Sequence, residues 1–219
     1  MFENLPLKNP IMFLWRNSPT IIIGKHQNPW KECRVQMLEK MGVKMARRKS
    51  GGGCVYHDLG NAVFSFINPM NMTDKLDYKT MNNDVIINAL KNKYDLNTEA
   101  NERNDIVIEH EGIPKKISGS AYKFKLGNAA SGEGRRSLYH GTMLLNAELG
   151  ALGNYLNPTT AKITGKGVPS VKSKVVNLKQ LNDKIEFNGF CDALEEEFMK
   201  KWDTGAGVNN RLLTIEELE

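Results

Sequence analysis

The sequence is poor in cysteine and contains no long hydrophobic run, and each absence excludes a class of protein. Its cysteines are Cys33, Cys54 and Cys191, which are widely spaced and odd in number and form no CxxC pair. We therefore expect neither a disulfide scaffold nor a structural zinc site. No apolar run approaches the roughly 20 residues that span a membrane, and the first residues match neither a secretory leader nor an organellar presequence.

Charge of one sign is also not concentrated anywhere along the chain. The 30 lysines and arginines exceed the 25 aspartates and glutamates enough to give a formal net charge of +5 at pH 7, but they are mixed along the sequence. Nucleic-acid-binding proteins show a dense basic patch, so that function is not expected. The mild basic excess suits anionic ligands or an acidic partner surface. A length of 219 residues, 40% of them hydrophobic, favours a single domain.

The motifs of covalent catalysis and of the common nucleotide-binding loops are missing. There is no GxSxG nucleophile elbow, no Walker loop of the GxxxxGK type and no GxGxxG fingerprint. No cysteine has a plausible base beside it, since Cys33 falls on the apolar face of one predicted helix and Cys191 within another. A mechanism that relies on positioning and electrostatics therefore fits this chain better than one with a covalent enzyme intermediate.

The apolar periodicity predicts a mixed α+β domain, in which helices pack on a sheet. Strands are predicted at 11–15, 20–24, 43–46, 54–57, 62–67, 105–109, 116–124 and 138–146, the first two paired with each other. Helices are predicted from an Asn28 cap and Pro29 to Gly42, from a Thr73 cap through Leu90, and over 190–202. Residues 111–114 are predicted to form a turn and 125–136 a mobile surface loop.

A run of three glycines follows three basic residues in 47-RRKSGGGCVYHDLGN-61. Glycines allow positive φ and can aim successive backbone N–H groups at one anion, while Arg47, Arg48 and Lys49 supply positive charge. The alternative is an ordinary wide hairpin, which needs one or two glycines and gives no reason for a third. The residues alone leave both interpretations open.

Two other segments carry candidate polar groups. Lys116 enters the strand 115-KKISGSAYKF-124, where Gly119 between two serines lets a ligand lie against the backbone; a solvated lysine at a strand edge is the alternative. His140 forms a histidine-glycine step in 139-YHGTMLLN-146, and a hydrogen-bonded structural histidine is the commoner explanation for such a residue.

Six segments together, in this order, resemble the lipoate–protein ligase family. They are 13-FLWRNSPTIIIGKHQNPWKEC-33, 47-RRKSGGGCVYHDLGN-61, 103-RNDIVI-108, 116-KISGSAY-122, 139-YHGTMLLN-146 and 153-GNYLNP-158. The resemblance implies the catalytic-domain fold that this family shares with biotin–protein ligases, with one domain over residues 1–219. It also implies that the strand and helix at the start of full members, and the accessory domain that follows 190–202 in many of them, are absent from this chain.

The family's chemistry becomes the expected function. The resemblance implies ATP and Mg²⁺ as cofactors, activation of lipoate to lipoyl-AMP, and transfer to a lysine of lipoyl domains in 2-oxoacid dehydrogenase E2 subunits and the glycine cleavage H protein. One alternative is a lipoyl or octanoyl transferase that works without ATP activation, although 168-VPSVKS-173 has serines where such enzymes carry a cysteine. The other is a non-catalytic remnant that binds lipoyl-adenylate or a lipoyl domain. The resemblance implies that the protein is cytoplasmic if it is bacterial and mitochondrial if it is eukaryotic.

The family's functional residues are carried over where its motifs match this sequence. Lys116 is the expected catalytic residue, in contact with the lipoyl carbonyl and the α-phosphate. The expected ATP and lipoyl-AMP site comprises Arg48, Gly53, Cys54, Val55, Tyr56, Asn61, Asn104, Asp105 and Lys116. Trp15, His57 and His140 are expected to shape the lipoate tunnel or its mouth. No metal site of the protein's own is expected, and Asp105 is a candidate contact for the Mg²⁺ that ATP carries.

Overall fold

The computed structural model describes residues 7–70, 76–127, 134–156 and 167–202. Within these ranges the strands are β1 Ile11–Trp15, β2 Thr20–Ile23, β3 Lys44–Arg47, β4 Val55–His57, β5 Asn61–Met70, β6 Thr98–Ala100, β7 Ile106–His110, β8 Ile113–Lys125 and β9 Arg135–Leu144. The α-helices are α1 Pro29–Glu32, α2 Val35–Lys40, α3 Tyr78–Tyr94, α4 Leu149–Tyr155 and α5 Phe187–Trp202, and Leu178–Gln180 forms a short 3₁₀ helix. The predicted mixed α+β class is confirmed.

A six-stranded antiparallel sheet in the order β1-β5-β9-β8-β7-β6 carries most of the hydrophobic core. Residues alternate across its two faces, as strand geometry requires. In β5, Phe64 and Phe66 pack with α3 and α5, whereas Val63 lines a cavity on the other face. The predicted stripe of α3 and the apolar face of α5 supply the opposing surface, including Ile86, Leu90 and Phe190.

A second sheet has three strands in the order β3-β2-β4, with β2 parallel to β3 and antiparallel to β4. The glycine run joins β3 to β4. A smaller apolar cluster lies at this sheet and includes Ile21, Ile23, Leu38 and Tyr155, which come from β2, α2 and α4. A cavity lies where the two sheets meet.

The predicted pairing of the first two strands is wrong. β1 pairs with β5 in the large sheet, and Trp15 lies opposite Val63, whereas β2 pairs with β3 and β4 in the small sheet. The strand predicted at 62–67 forms part of β5, which belongs to the large sheet, whereas the preceding strand β4 belongs to the small one. Apolar runs identify strands, but a strand's partner depends on contacts far away in the sequence, which the runs do not encode.

The predicted helix starts are only partly confirmed. The Asn28 side chain accepts a hydrogen bond from the backbone N–H of Trp30, as an N-cap should, but the chain turns extended at Cys33 and the helix predicted to Gly42 is divided into α1 and α2. Trp30, in the short helix α1, has 59% of its surface exposed. The α3 helix is capped by Asp77, which accepts from Lys79 and Thr80; Thr73 lies outside the described residues.

The remaining predicted elements agree with the structure. Glu111 and Gly112 both have positive φ, as the two-residue hairpin between β7 and β8 requires. The strand over 138–146 and the helix over 190–202 are present as β9 and α5. The predicted surface loop at 125–136 falls largely on 128–133, outside the described residues. No helix in the described part of the chain is long and apolar enough to cross a membrane.

Candidate functional site

A cavity of about 540 Å³ is bounded by both sheets and by residues 168–173. β1 contributes Trp15, β2 contributes Ile22 and β5 contributes Val63, so part of its wall is apolar. The polar part of the wall comes from the glycine run, from residues 116–121 of β8 and 140–142 of β9, and from the turn before β7. The cavity is thus built by segments that are distant in the sequence and that only the two-sheet arrangement brings together.

The glycine run is held in shape by Arg48. The Arg48 guanidinium donates to the carbonyl of Gly51 through Nε and Nη2 (3.1 and 2.7 Å), to that of Gly53 (2.7 Å) and to that of Ile22 (3.2 Å). Gly52 has φ +94, and a Cβ there would lie 2.8 Å from the Arg48 Nη2, so only glycine fits beneath the guanidinium. These contacts leave Arg48 one of its five N–H donors for a ligand.

The two basic neighbours in the run serve different purposes. Arg47 donates from Nη1 to the carbonyls of Gly24 (2.9 Å) and Gln27 (2.8 Å), so it ties β3 to the segment before α1 and is not among the cavity residues. Arg48 is more enclosed, and burial lowers the pKa of its guanidinium from its ordinary value. It still carries a positive charge, because arginine does not lose its proton in proteins.

Lys116 reaches the cavity because β8 is irregular at that point. Lys116 pairs with Val107 and Ser118 pairs with Ile106, so Ile117 is an extra residue, a bulge. In a regular strand Lys116 would share a face with the buried Ser118; after the bulge it shares the cavity face with Gly119. A Cβ on Gly119 would lie 2.8 Å from the Lys116 Nζ, so glycine leaves room for the lysine side chain.

The Lys116 ammonium pairs with Asp105 at the cavity wall. Nζ lies 2.8 Å from Oδ1, with 26% of the lysine side chain and 11% of the aspartate side chain exposed. The carboxylate is placed by the turn before β7, in which the Asn101 Oδ1 accepts from the backbone N–H groups of Arg103 and Asp105. One cation and one anion therefore meet at a partly wet position, where an incoming phosphate can compete for the lysine.

Two histidines at the cavity are neutral. The Asn17 Nδ2 donates to the His57 Nδ1 (2.8 Å), which leaves the His57 proton on Nε2, and Ser50 Oγ and His140 Nε2 are hydrogen-bonded at 2.6 Å. Burial, followed by the charge of Arg48, lowers the pKa of both rings to about 4, and His140 adds to the effect on His57. The buried His57 Nε2 has no hydrogen-bond partner within the described ranges, so it is a free donor at the cavity wall.

Because both histidines are neutral in the folded protein, the free energy of unfolding is predicted to fall as the pH is lowered. Each folded-state pKa, about 4, lies below the ordinary 6.5, so between these values the unfolded chain binds protons that the folded chain does not. The free energy of unfolding should therefore decrease from pH 6.5 towards pH 4, by about 3 kcal/mol per histidine at the low end. Urea unfolding across this range should show a shallower decline for His140→Gln than for the parent. Identical declines would mean that His140 titrates normally when folded.

A hydrogen-bonded clamp centred on Ser170 holds the segment 168–171 against the glycine run. The Ser170 Oγ accepts from the Cys54 backbone N–H (2.8 Å) and from the Gln27 Nε2 (3.0 Å), and it donates to the buried Glu32 carboxylate. Gln27 also donates to the Val168 carbonyl (3.1 Å). Because residues 168–171 belong to no helix or strand, the hydrogen bonds of the clamp are what fix this wall of the cavity.

Most of the residues expected from the sequence meet at this cavity. The lining includes Trp15, Arg48, Gly53, Cys54, Val55, His57, Asp105, Lys116 and His140. Tyr56, Asn61 and Asn104 are not part of the lining. Tyr56 packs against Tyr155, and Asn61 donates from Nδ2 to the Tyr56 carbonyl (3.0 Å). Asn104 adopts φ +61 in the turn before β7, and its carbonyl accepts a hydrogen bond from the Ser120 hydroxyl.

Several cavity residues were not singled out from the sequence. Asn17, Arg103 and Ser120 lie within the six recognised segments, so proximity to those motifs was an available signal. Ser170 lies in the segment 168–173, which the sequence marked only for its serines in place of a cysteine, and its contact with Glu32, 138 residues away, could not be predicted. In the described ranges no group of three or more His, Cys, Asp or Glu could hold a metal ion. Asp105 is a single carboxylate, which suits a Mg²⁺ bound mainly through substrate phosphates.

Comparison with known proteins gives consistent results. Residues 1–199 match the family model for the lipoyl protein ligase A/B catalytic domain. The Plasmodium falciparum LipL1 structure, in complex with lipoate, is 36% identical with a TM-score of 0.75; the match covers 95% of this chain and 55% of that one. This chain therefore spans little more than half the length of that relative.

Two further solved structures share the fold. A lipoate-protein ligase A bound with ATP is 25% identical with a TM-score of 0.73, and the match covers 95% of this chain and 78% of that one. A Thermoplasma acidophilum bipartite lipoate protein ligase, described with its E2 lipoyl domain, is 24% identical with a TM-score of 0.75; coverage is 95% and 76%. At that identity the second similarity concerns the fold alone.

Proposed function

Because the chain belongs to the lipoyl protein ligase A/B catalytic-domain family, we propose that it is an ATP-dependent lipoate–protein ligase. In the first reaction the lipoate carboxylate attacks the α-phosphate of ATP, which forms lipoyl-AMP and releases pyrophosphate. In the second, a lysine of an acceptor domain attacks the acyl carbon and AMP leaves. Neither reaction needs an enzyme nucleophile, in agreement with the missing motifs.

The observation that supports this proposal most strongly is the position of Lys116 and the glycine run at one cavity. Attack on the α-phosphate increases negative charge on its oxygens, and fixed cations and N–H donors stabilise such charge without reorganising. Lys116 supplies an ammonium group on a flexible stem, and Arg48 supplies charge and holds the glycine run in one shape. The Lys116 contact with Asp105 is exchanged for a contact with phosphate when the nucleotide binds.

The apolar part of the cavity suits the acyl chain of lipoate. Trp15, Ile22 and Val63 line it, and sites for small molecules combine such apolar walls with a few polar groups that fix orientation. Those polar groups are the His57 Nε2–H, which meets no acceptor among the residues that the structure describes, and the Ser50–His140 pair. LipL1, the relative at 36% identity, was solved with lipoate, and the ligase at 25% identity with ATP.

We propose Mg²⁺ with ATP as the cofactors and acidic lipoyl domains as the acceptors. Asp105 would contact the metal ion, which supplies charge neutralisation at the phosphates when it is bound. The acceptors would be lipoyl domains of 2-oxoacid dehydrogenase E2 subunits and the glycine cleavage H protein; the T. acidophilum relative is described together with its E2 lipoyl domain. The net charge of +5 favours encounter with acidic acceptors.

One experiment separates the ligase from its alternatives. The purified chain is incubated with an apo lipoyl domain and either lipoate with Mg-ATP or preformed lipoyl-AMP, and the mass of the acceptor is measured. A lipoyl mass gain in both reactions is expected for a ligase. A gain with lipoyl-AMP alone would make the chain a transferase, and no gain in either would leave it a binding protein.

The Ser170 clamp gives a prediction for the same assay. Ser170→Ala removes the acceptor for Cys54 and Gln27 and the donor to Glu32, so the segment 168–171 loses its anchor. At about 1–2 kcal/mol for such a network, we expect KM for lipoate to rise about tenfold with a smaller change in kcat. Ser170→Thr keeps the hydroxyl and should restore most of the affinity. Unchanged KM in the alanine variant would show that the clamp does not position the cavity wall.

A further inference from the structure

Two cysteines that are 21 positions apart meet beside the cavity. The Cys33 Sγ and the Cys54 Sγ lie 3.5 Å apart, and the residues are only 2% and 8% exposed. Cys33 ends α1, whereas Cys54 follows the glycine run and lines the cavity. The sequence suggested no pairing, since it placed Cys33 on the apolar face of a predicted helix and Cys54 among the expected ATP and lipoyl-AMP site residues.

Both sulfur atoms are close enough to bond with little rearrangement. A disulfide requires a separation of about 2.05 Å, so the thiols must approach by roughly 1.5 Å, which side-chain rotation and a small loop movement can supply. Their contact also shifts the pKa values of the two thiols in opposite directions. The hydrogen bond from Cys54 lowers the pKa of Cys33, and the same contact together with burial raises the pKa of Cys54. The Cys33 thiolate therefore forms more readily than the thiolate of an isolated buried cysteine.

We propose that Cys33 and Cys54 are a redox-active dithiol site that small disulfides entering the cavity convert to a disulfide. Cys54, the cysteine at the cavity wall, passes its proton to the Cys33 thiolate across their contact and attacks the small disulfide. This step forms a mixed disulfide and releases one small thiolate, which takes the proton from Cys33 and leaves as a thiol. Cys33 then attacks Cys54 Sγ, forms the internal disulfide and releases the second thiol. The two cysteines lose two electrons and two protons, and the small disulfide becomes two thiols.

Closure of this bond acts on the cavity because the backbone of Cys54 is held on both sides. The carbonyl before it, on Gly53, accepts from Arg48 (2.7 Å), and its own N–H donates to Ser170 (2.8 Å). Drawing Cys54 towards α1 displaces both groups, and hydrogen bonds weaken when their geometry is lost. The oxidised form should therefore bind its ligands less well than the dithiol.

The test uses the full chain in buffers of oxidised and reduced glutathione. After equilibration, free thiols are alkylated in denaturant and the disulfides are located by peptide mass mapping. We expect a Cys33–Cys54 disulfide within one chain, formed equally in Cys191→Ala, which keeps both partners. Three alkylated cysteines in fully oxidised buffer, or a disulfide that includes Cys191, would overturn the proposal. The mass measurement does not require enzymatic activity, so it is independent of the function proposed above.

Transfer from lipoyl-AMP measures the coupling to the cavity. The oxidised chain should transfer several-fold more slowly than the reduced chain and should recover after treatment with dithiothreitol. Cys33→Ala, which removes the buried partner outside the cavity wall, should form no internal disulfide and should match the reduced parent in reduced buffer. An internal disulfide that leaves both ligand affinity and rate unchanged would show that the pair is not coupled to the site.

Discussion

Replacement of Lys116 with alanine is expected to lower lipoyl-AMP formation by on the order of a thousandfold while the chain stays folded. The Lys116 ammonium lies at the cavity wall, and without it the negative charge that develops on the α-phosphate loses a positive contact. Pyrophosphate release with lipoate and Mg-ATP measures the loss. Circular dichroism and thermal melting check the fold, because the substitution also leaves the Asp105 carboxylate without its partner.

Neighbouring residues supply controls for that result. Lys115→Ala removes the adjacent lysine, which pairs with Glu111, and should leave pyrophosphate release nearly unchanged. Gly119→Ala keeps the ammonium but places a Cβ 2.8 Å from Nζ, so it should give an intermediate loss. Lys116→Ala/Asp105→Asn removes the unpaired charge and separates stability from chemistry. An active, folded Lys116→Ala variant would remove this residue from the mechanism.

The position of Lys116 illustrates what the sequence could and could not predict. The lysine and Gly119 were recognised from their segment, and the strands themselves were found from apolar periodicity. The bulge at Ile117 was not found, because it depends on how β7 and β8 register against each other. The separation of β1 and β2 into two sheets was missed for the same reason, since strand partners are chosen by contacts distant in the sequence.

For the candidate site too, the sequence predicted local features but not the contacts between distant residues. Residue types and motifs identified Arg48, the glycines and the two histidines, and the structure places them at one cavity. What the residue types could not reveal is which atoms are already engaged. The sequence presented Arg48 as a phosphate contact, whereas the structure shows its guanidinium bonded to the carbonyls of its own loop. The Ser170 clamp and the thiol pair likewise exist only through tertiary contacts.

Replacement of Arg48 with methionine is expected to lower lipoyl-AMP formation by about a hundredfold or more and to destabilise the chain by roughly 2–4 kcal/mol. Methionine keeps much of the apolar stem but leaves the carbonyls of Gly51, Gly53 and Ile22 without their donor. Glycines lack a Cβ and adopt many backbone conformations, including the φ of +94 at Gly52, so without Arg48 the glycine run is no longer held in one conformation. Pyrophosphate release and urea unfolding measure the two effects.

Arg48→Lys distinguishes two roles for this residue. A lysine ammonium keeps the charge, but it cannot span three carbonyls as the planar guanidinium does. If Arg48 acts chiefly by bracing the loop, the lysine variant should resemble Arg48→Met in both activity and stability. Arg47→Met is the matched control, because Arg47 bonds the carbonyls of Gly24 and Gln27 and should affect stability more than adenylation. Near-parental activity in Arg48→Lys would show instead that positive charge at the phosphate, and not the shape of the glycine run, is what this position supplies.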